Sequence, residues 1–150
     1  MRLGIACILA AMSTSALVAQ APPVKMGLWE KTTSITGGPT GSMTLKSKSC
    51  LTPDYWQEMV GAASKQQPNC TTNFSKTSNG YSFTSNCTLP HSTIVSKGTS
   101  TIQDSEHIVA ESHSTTTRDG KAREMEIHST SHFLSASCGD VKPGSPEIER

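Results

Sequence analysis

Apolar and polar residues alternate along most of the chain, a spacing typical of half-buried β-strands. Gly27–Ile35 is rich in β-forming residues, and Met43–Cys50 alternates long or apolar residues with small polar ones. Further strands are predicted over Cys70–Lys76, Tyr81–Cys87, Thr93–Gln103, His107–Thr117 and Lys121–Leu134. The pattern therefore predicts a mainly β fold, an antiparallel meander of about seven strands that forms a curved sheet or a partly closed barrel.

One segment has the spacing of a helix instead. Thr52 is a suitable N-cap, Pro53 fits the first helical position and Asp54 follows in the first turn. Apolar residues then recur at helical spacing, at Trp56, Met59, Val60 and Ala63. We expect one short helix of about three turns. Its Trp and Met side should cover one end or edge of the sheet.

The N-terminus has the order of a cleavable secretory signal. Arg2 precedes an apolar run, Leu3–Met12, which is too short to span a bilayer, and small residues follow. Cleavage after Ala19 is favoured, because the alternative site after Ala21 would place the rigid ring of Pro22 just beyond the cut. The sequence predicts a signal at residues 1–19 and an exported protein without a membrane span in its mature form.

The rest of the 150-residue chain is long enough for one domain, which we place at residues 20–143. Residues 144–150 are charged and follow a stretch broken by Pro and Gly, so they are predicted to be a disordered tail. Once Arg2 is removed, 12 basic residues balance 12 acidic ones. Without a basic excess, we expect no binding to nucleic acid or to anionic membranes.

The cysteines predict a covalently braced domain. Cys7 belongs to the predicted signal, and four cysteines remain, at positions 50, 70, 87 and 138. An even number in an oxidising compartment indicates two disulfides, with three possible connectivities. A zinc site is a weak alternative, because no two of these cysteines are two to four residues apart.

The turn at Asn79-Gly80 bears on the connectivity. A loop over Thr77–Gly80 would place Cys70 opposite Cys87, at a separation close to what a disulfide requires. A two-residue Asn-Gly turn would make these cysteines diagonal neighbours instead. We favour the first register, which predicts the pairs Cys70–Cys87 and Cys50–Cys138.

A second hairpin signal, Asp119-Gly120, sets the register of the last two strands. If Arg118 opposes Lys121, three cross-strand pairs share the polar side of the hairpin: His107 with His132, Glu111 with His128, and His113 with Glu126. Each pair could give a metal only two ligands, so we interpret the pairs as a solvated face with complementary charges. The sequence predicts no metal, no cofactor and no catalytic residue.

Several features together resemble a known family. They are Gly27-Leu28-Trp29-Glu30 after the signal, Cys50-Leu51-Thr52-Pro53 before the helix, two cysteines flanking a hairpin, and Cys138-Gly139-Asp140-Val141-Lys142-Pro143. The chain is similar over Gly27–Pro143 to the bacterial exported family known as domain of unknown function 3617. The resemblance implies an envelope location, the periplasm first and secretion second, and a β-rich fold. It supplies no catalytic residue.

The sequence leaves the biochemical function unknown. The leading hypothesis is a non-enzymatic binding module whose interior of Ile, Met, Phe and small residues holds an apolar small molecule or receives an envelope partner. The alternative is a structural or interaction protein of the envelope without a small-molecule ligand. An enzyme is the weakest of the three classes, because no motif pairs a nucleophile with a base.

Overall fold

The structure, a computed structural model, describes residues 23–38 and 41–149. The elements are β1 (Gly27–Gly37), β2 (Met43–Leu51), α1 (Pro53–Ala63), β3 (Cys70–Thr77), β4 (Gly80–Leu89), β5 (Ser92–Ile102), β6 (His107–Arg118), β7 (Lys121–Ser135) and β8 (Glu147–Glu149). The predicted mainly β class with one short helix is confirmed. The predicted signal at residues 1–19 and Cys7 lie outside the described residues.

All eight strands form one open antiparallel sheet in the order β3-β4-β5-β6-β7-β1-β2-β8. β3 to β7 follow one another as a meander, as the sequence predicts. β1 then lies between β7 and β2 and pairs with both. Of the two architectures left open by the sequence, the structure has the open sheet, with β3 and β8 at its edges.

Both hairpin turns set the predicted registers. Asp119 and Gly120 have positive φ angles of 51° and 72°, as a tight two-residue turn requires, and Arg118 opposes Lys121. In the other hairpin Lys76 opposes Tyr81, Phe74 opposes Phe83 and Cys70 opposes Cys87. The pairing continues to Thr77 and Gly80, so the turn consists of Ser78 and Asn79.

The two disulfides are Cys70–Cys87 and Cys50–Cys138, which confirms the connectivity favoured by the hairpin register. The first joins neighbouring strands, and the second joins β2 to the segment after β7. Two disulfides in one small domain fit a protein that resides outside the reducing cytoplasm. No helix in the described part of the chain is long and apolar enough to cross a membrane.

A small core lies under one end of the sheet. Val24, Trp29 and Leu51 are buried there, and Trp56 of α1 and Phe133 of β7 pack against them. We call this side of the sheet the helix-bearing face and the opposite side the polar face. The helix begins as predicted, because the Tyr55 N–H donates to Thr52 Oγ1 at 3.2 Å.

The last strand differs from the predicted disordered tail. Within residues 144–150, Glu147–Glu149 form β8, which pairs with β2 through Lys46 and Lys48. The Lys48 ammonium lies 2.8 Å from the Glu149 carboxylate. This contact raises the pKa of Lys48 and lowers that of Glu149. The charged residues that predict disorder when the segment is considered alone are complementary to the lysines of β2.

A candidate binding groove on the polar face

Two rows of side chains cross the polar face at right angles to the strands. Because side chains alternate along a strand, residues opposed in register form continuous rows on one face. The Glu111 row comprises Ser82, Thr99, Glu111, His128 and Ser34. The Lys97 row, two residues further along each strand, comprises Thr84, Lys97, His113, Glu126 and Thr36.

A groove of about 720 Å³ runs between the two rows and spans five strands, from β4 to β1. Its floor is the main chain of the intervening residues, Phe83, Gly98, Ser112 and Ile127, whose side chains belong to the helix-bearing face. This volume is in the range of small-molecule and cofactor sites. A second concavity of about 710 Å³ extends the polar face toward β3 and includes Asn73, Thr84 and Lys97.

Gly98 has a structural role beneath the groove. A Cβ at this position would lie 2.5 Å from Cε1 of Phe83 and 2.7 Å from the carbonyl oxygen of Glu111. Only a glycine therefore leaves room for the Phe83 ring against the helix-bearing side of β5. The backbone at Gly98 therefore forms the groove floor on one face of the sheet and contacts the Phe83 ring on the other.

The groove walls carry hydroxyl, imidazole, carboxylate and ammonium groups. His128 Nδ1 lies 3.3 Å from a carboxylate oxygen of Glu111, and His113 Nε2 lies 3.9 Å from one of Glu124. Lys97 makes no ion pair with any residue of the described ranges. With neutral histidines, one lysine and two glutamates give the groove a formal charge of −1. The walls offer hydrogen-bond donors and acceptors and charges of both signs, set among the methyl and methylene groups of the same side chains.

The structure brings the predicted histidine pairs together only in part. All three cross-strand registers are confirmed. Glu111 contacts His128, but the nearest carboxylate to His113 is that of Glu124, diagonally across the hairpin, and not that of Glu126. His107 turns to Asp104, with Nδ1 2.9 Å from both carboxylate oxygens, and away from His132.

His132 lies in a neighbouring cluster around Glu30. Its Nε2 is 3.8 Å from a carboxylate oxygen of Glu30, and Lys46 Nζ approaches the same oxygen at 3.9 Å. The Glu30 side chain is 19% exposed, less than either partner. The carboxylate beside Trp29 is therefore the centre of a cross-strand charge network on the polar face.

Asp104 caps the turn that leads into β6. The Glu106 N–H donates to its carboxylate at 2.7 Å, and this bond, followed by the contact with His107, lowers the pKa of the Asp104 carboxyl. Within residues 23–38 and 41–149, no three His, Cys, Asp or Glu side chains converge as a metal site would need. The ion pairs of the polar face are therefore contacts between two groups, apart from the Glu30 network with His132 and Lys46.

The apolar interior expected from the sequence lies on the other side of the sheet. Trp29 and Phe133 meet there edge to face, with ring centroids 6.0 Å apart. Further along the same face, Ile35 opposes both Ile127 and Met43, and Met43 is 41% exposed. The sequence does not reveal the groove, because the groove forms only when five strands pair, and the alternation pattern does not place β1 beside β7.

Comparison with known proteins gives one match. A family model described as "Protein of unknown function (DUF3617)" matches residues 24–138. No curated protein and no solved structure matches the chain. The matched residues include seven of the eight strands, the helix and all four disulfide cysteines.

Proposed function

The chain belongs to the DUF3617 family of proteins of unknown function, and we propose that it is a non-enzymatic binding module that holds a segment of an envelope partner in the groove. We place it in the periplasm, in line with its two disulfides and the N-terminal signal expected from the sequence. The observation that carries the proposal is the groove itself, formed by two rows of polar side chains across five strands.

The chemistry of the walls favours a polar partner segment. A polypeptide offers alternating N–H and C=O groups and charged side chains of both signs. The groove can meet these with hydroxyls such as Thr99, the unpaired ammonium of Lys97 and the carboxylate of Glu126. Contacts of this kind fix orientation and specificity more than they add affinity. We therefore expect a transient complex whose strength falls with rising salt.

An apolar small molecule is the second candidate, and a different surface favours it. Met43, Ile35 and Ile127 form a partly exposed apolar row on the helix-bearing face, beyond the small core. A lipid-like chain could lie along this row. Native mass spectrometry of the protein purified from periplasm tests this reading, because a bound lipid adds a discrete mass. A protein of unliganded mass contradicts it.

Site-specific photocrosslinking in the bacterial envelope tests the groove directly. A photoreactive amino acid at Thr99 lies in the groove, and one at Glu58 on the exposed side of α1 is the control. We expect a partner to be captured from Thr99 and not from Glu58. Capture should weaken at least threefold when Lys97→Ala removes the unpaired ammonium, whereas Lys121→Ala, at an exposed turn, should leave it unchanged.

Two outcomes contradict the proposal. One is identical capture from Thr99 and Glu58, which indicates non-specific contact. The other is the absence of any product from Thr99 in a chain whose disulfides and circular dichroism are intact. A partner captured from Glu58 alone would indicate that the partner binds at α1 and not in the groove.

A further inference from the structure

The outer edge of β3 has one half occupied and one half open. In the hairpin, Thr77 pairs with Gly80 across the turn, and the Thr88 N–H donates to the Asn69 carbonyl at 2.8 Å. The odd-numbered residues of β3 therefore bond to β4. The even-numbered residues, Thr72, Phe74 and Lys76, turn their N–H and C=O groups away from the sheet.

Gln66 occupies the first of these outward positions. Its side-chain amide donates to the Thr72 carbonyl at 2.6 Å and accepts from the Thr72 N–H at 3.0 Å. These are the two bonds that a neighbouring strand would make. The preceding outward N–H, that of Cys70, donates to the Gln67 carbonyl at 3.1 Å. Residues 66 and 67 thus close the edge from Cys70 to Thr72.

Phe74 and Lys76 remain open. Among the described residues, no backbone or side-chain partner reaches their outward N–H and C=O groups. Two donors and two acceptors at alternate residues are the pattern by which strand edges pair with another chain. The Phe74 ring stacks on Tyr81, with centroids 5.3 Å apart and planes 16° apart, and this contact holds the strand in place.

We propose that the open half of β3 pairs antiparallel with β3 of a second copy of this chain, about a two-fold axis at Ser75. This register places Phe74 opposite Lys76 of the other copy, so that all four open groups on each edge find a complement. Ser75 then faces its own counterpart, and Asn73 faces Thr77.

The side chains suit this partner. Phe74 and Lys76 lie on the same face, so each ammonium meets the exposed edge of a Phe74–Tyr81 stack. The two-fold axis at Ser75 keeps the lysines from opposing each other. On the polar face, the contact would bring together the two concavities that end at Asn73 of each copy. A second copy therefore joins two polar faces into one surface.

Gln66 selects this register. If its amide is removed, the N–H and C=O groups of Thr72 become open. A register with the two-fold axis at Phe74 then gains a hydrogen-bonded pair, because Thr72 lies opposite Lys76 of the other copy. In that register Asn73 faces Ser75. The inference thus assigns Gln66 the role of limiting how far two edges can slide past each other.

A cysteine trap tests the pairing. Residues on the two-fold axis of a non-hydrogen-bonded pair have the shortest Cβ separation, so Ser75→Cys should form a covalent homodimer on mild oxidation. Asn73→Cys is the matched control, since Asn73 is on the same strand and face and is also exposed. We expect at least tenfold more dimer from Ser75→Cys on non-reducing gels, with the native disulfides verified by peptide mapping.

Two further variants separate backbone pairing from random collision. In the Ser75→Cys chain, Lys76→Pro removes an outward N–H that the fold does not use and should reduce the dimer at least tenfold, whereas Lys76→Ala retains it. Gln66→Ala is tested in a mixture of Asn73→Cys and Ser75→Cys chains of different mass. When both chains carry it, the product should shift toward the mixed dimer, in which the cysteine introduced at position 73 of one chain is joined to that introduced at position 75 of the other. Equal trapping at both positions, a mixed disulfide with another protein, or no dimer overturns the proposal.

Discussion

Gly98→Ala should destabilise the fold, although the same change in an open strand is often favourable. The new methyl would lie 2.5 Å from the Phe83 ring and 2.7 Å from the Glu111 carbonyl oxygen, both inside normal contact distance. The ring can shift, but the oxygen belongs to the neighbouring backbone. Overpacking of this kind costs about 1–3 kcal/mol, and the lower entropy of the unfolded alanine chain offsets about 0.4–1 kcal/mol. We expect a net loss of about 1.3 kcal/mol, which is the difference between the midpoints of these two ranges.

Urea unfolding followed by the fluorescence of Trp29 and Trp56 measures this loss. The Phe83→Ala background provides the control, because it removes the ring and leaves the carbonyl contact. There Gly98→Ala should cost less, and the double-mutant cycle should show a coupling of about 0.5–1 kcal/mol. The reasoning is refuted if Gly98→Ala has the same effect in both backgrounds, or if it stabilises the parent chain.

Two other predictions concern the covalent and electrostatic bracing. The two disulfides close loops with sequence separations of 88 and 17. In the loop-entropy model, replacing Cys50 and Cys138 by serine therefore costs about 4.6 kcal/mol, and replacing Cys70 and Cys87 costs about 3.2 kcal/mol. Urea midpoints in the reverse order would contradict this. The pKa of Asp104 is lowered in the folded state, so its stabilisation is present above the unfolded pKa of about 3.9 and is lost as pH falls through the folded pKa. Asp104→Asn should therefore flatten the loss of stability below about pH 4 in acid titrations, and an unchanged titration curve would argue against this role.

Local signals in the sequence determined the registers. Asp119-Gly120 placed His107 opposite His132, and the cysteines of the first hairpin followed from the spacing around Asn79-Gly80. Each signal acts over a few residues, because turn geometry and side-chain alternation propagate along paired strands. The helix start at Thr52 was likewise readable, since capping is a local interaction.

Features that depend on distant parts of the chain were not readable. Alternation predicts that Gly27–Ile35 is a strand, but it does not place that strand between β7 and β2. β8 is three residues long and depends on the lysines of β2, which its own composition does not show. The partner of His113 depends on side-chain rotamers, and the groove depends on the pairing of five strands.

The position of β1 has a consequence for the order of folding. Synthesis releases β1 and β2 first, yet one side of β1 has no partner until β7 is complete. Cys50 likewise waits for Cys138, while Cys70 and Cys87 can join as soon as their hairpin closes. Such long-range pairing slows folding. During that interval the thiol of Cys50 is open to mispairing, so we expect correct oxidation to depend on early closure of the β3–β4 hairpin.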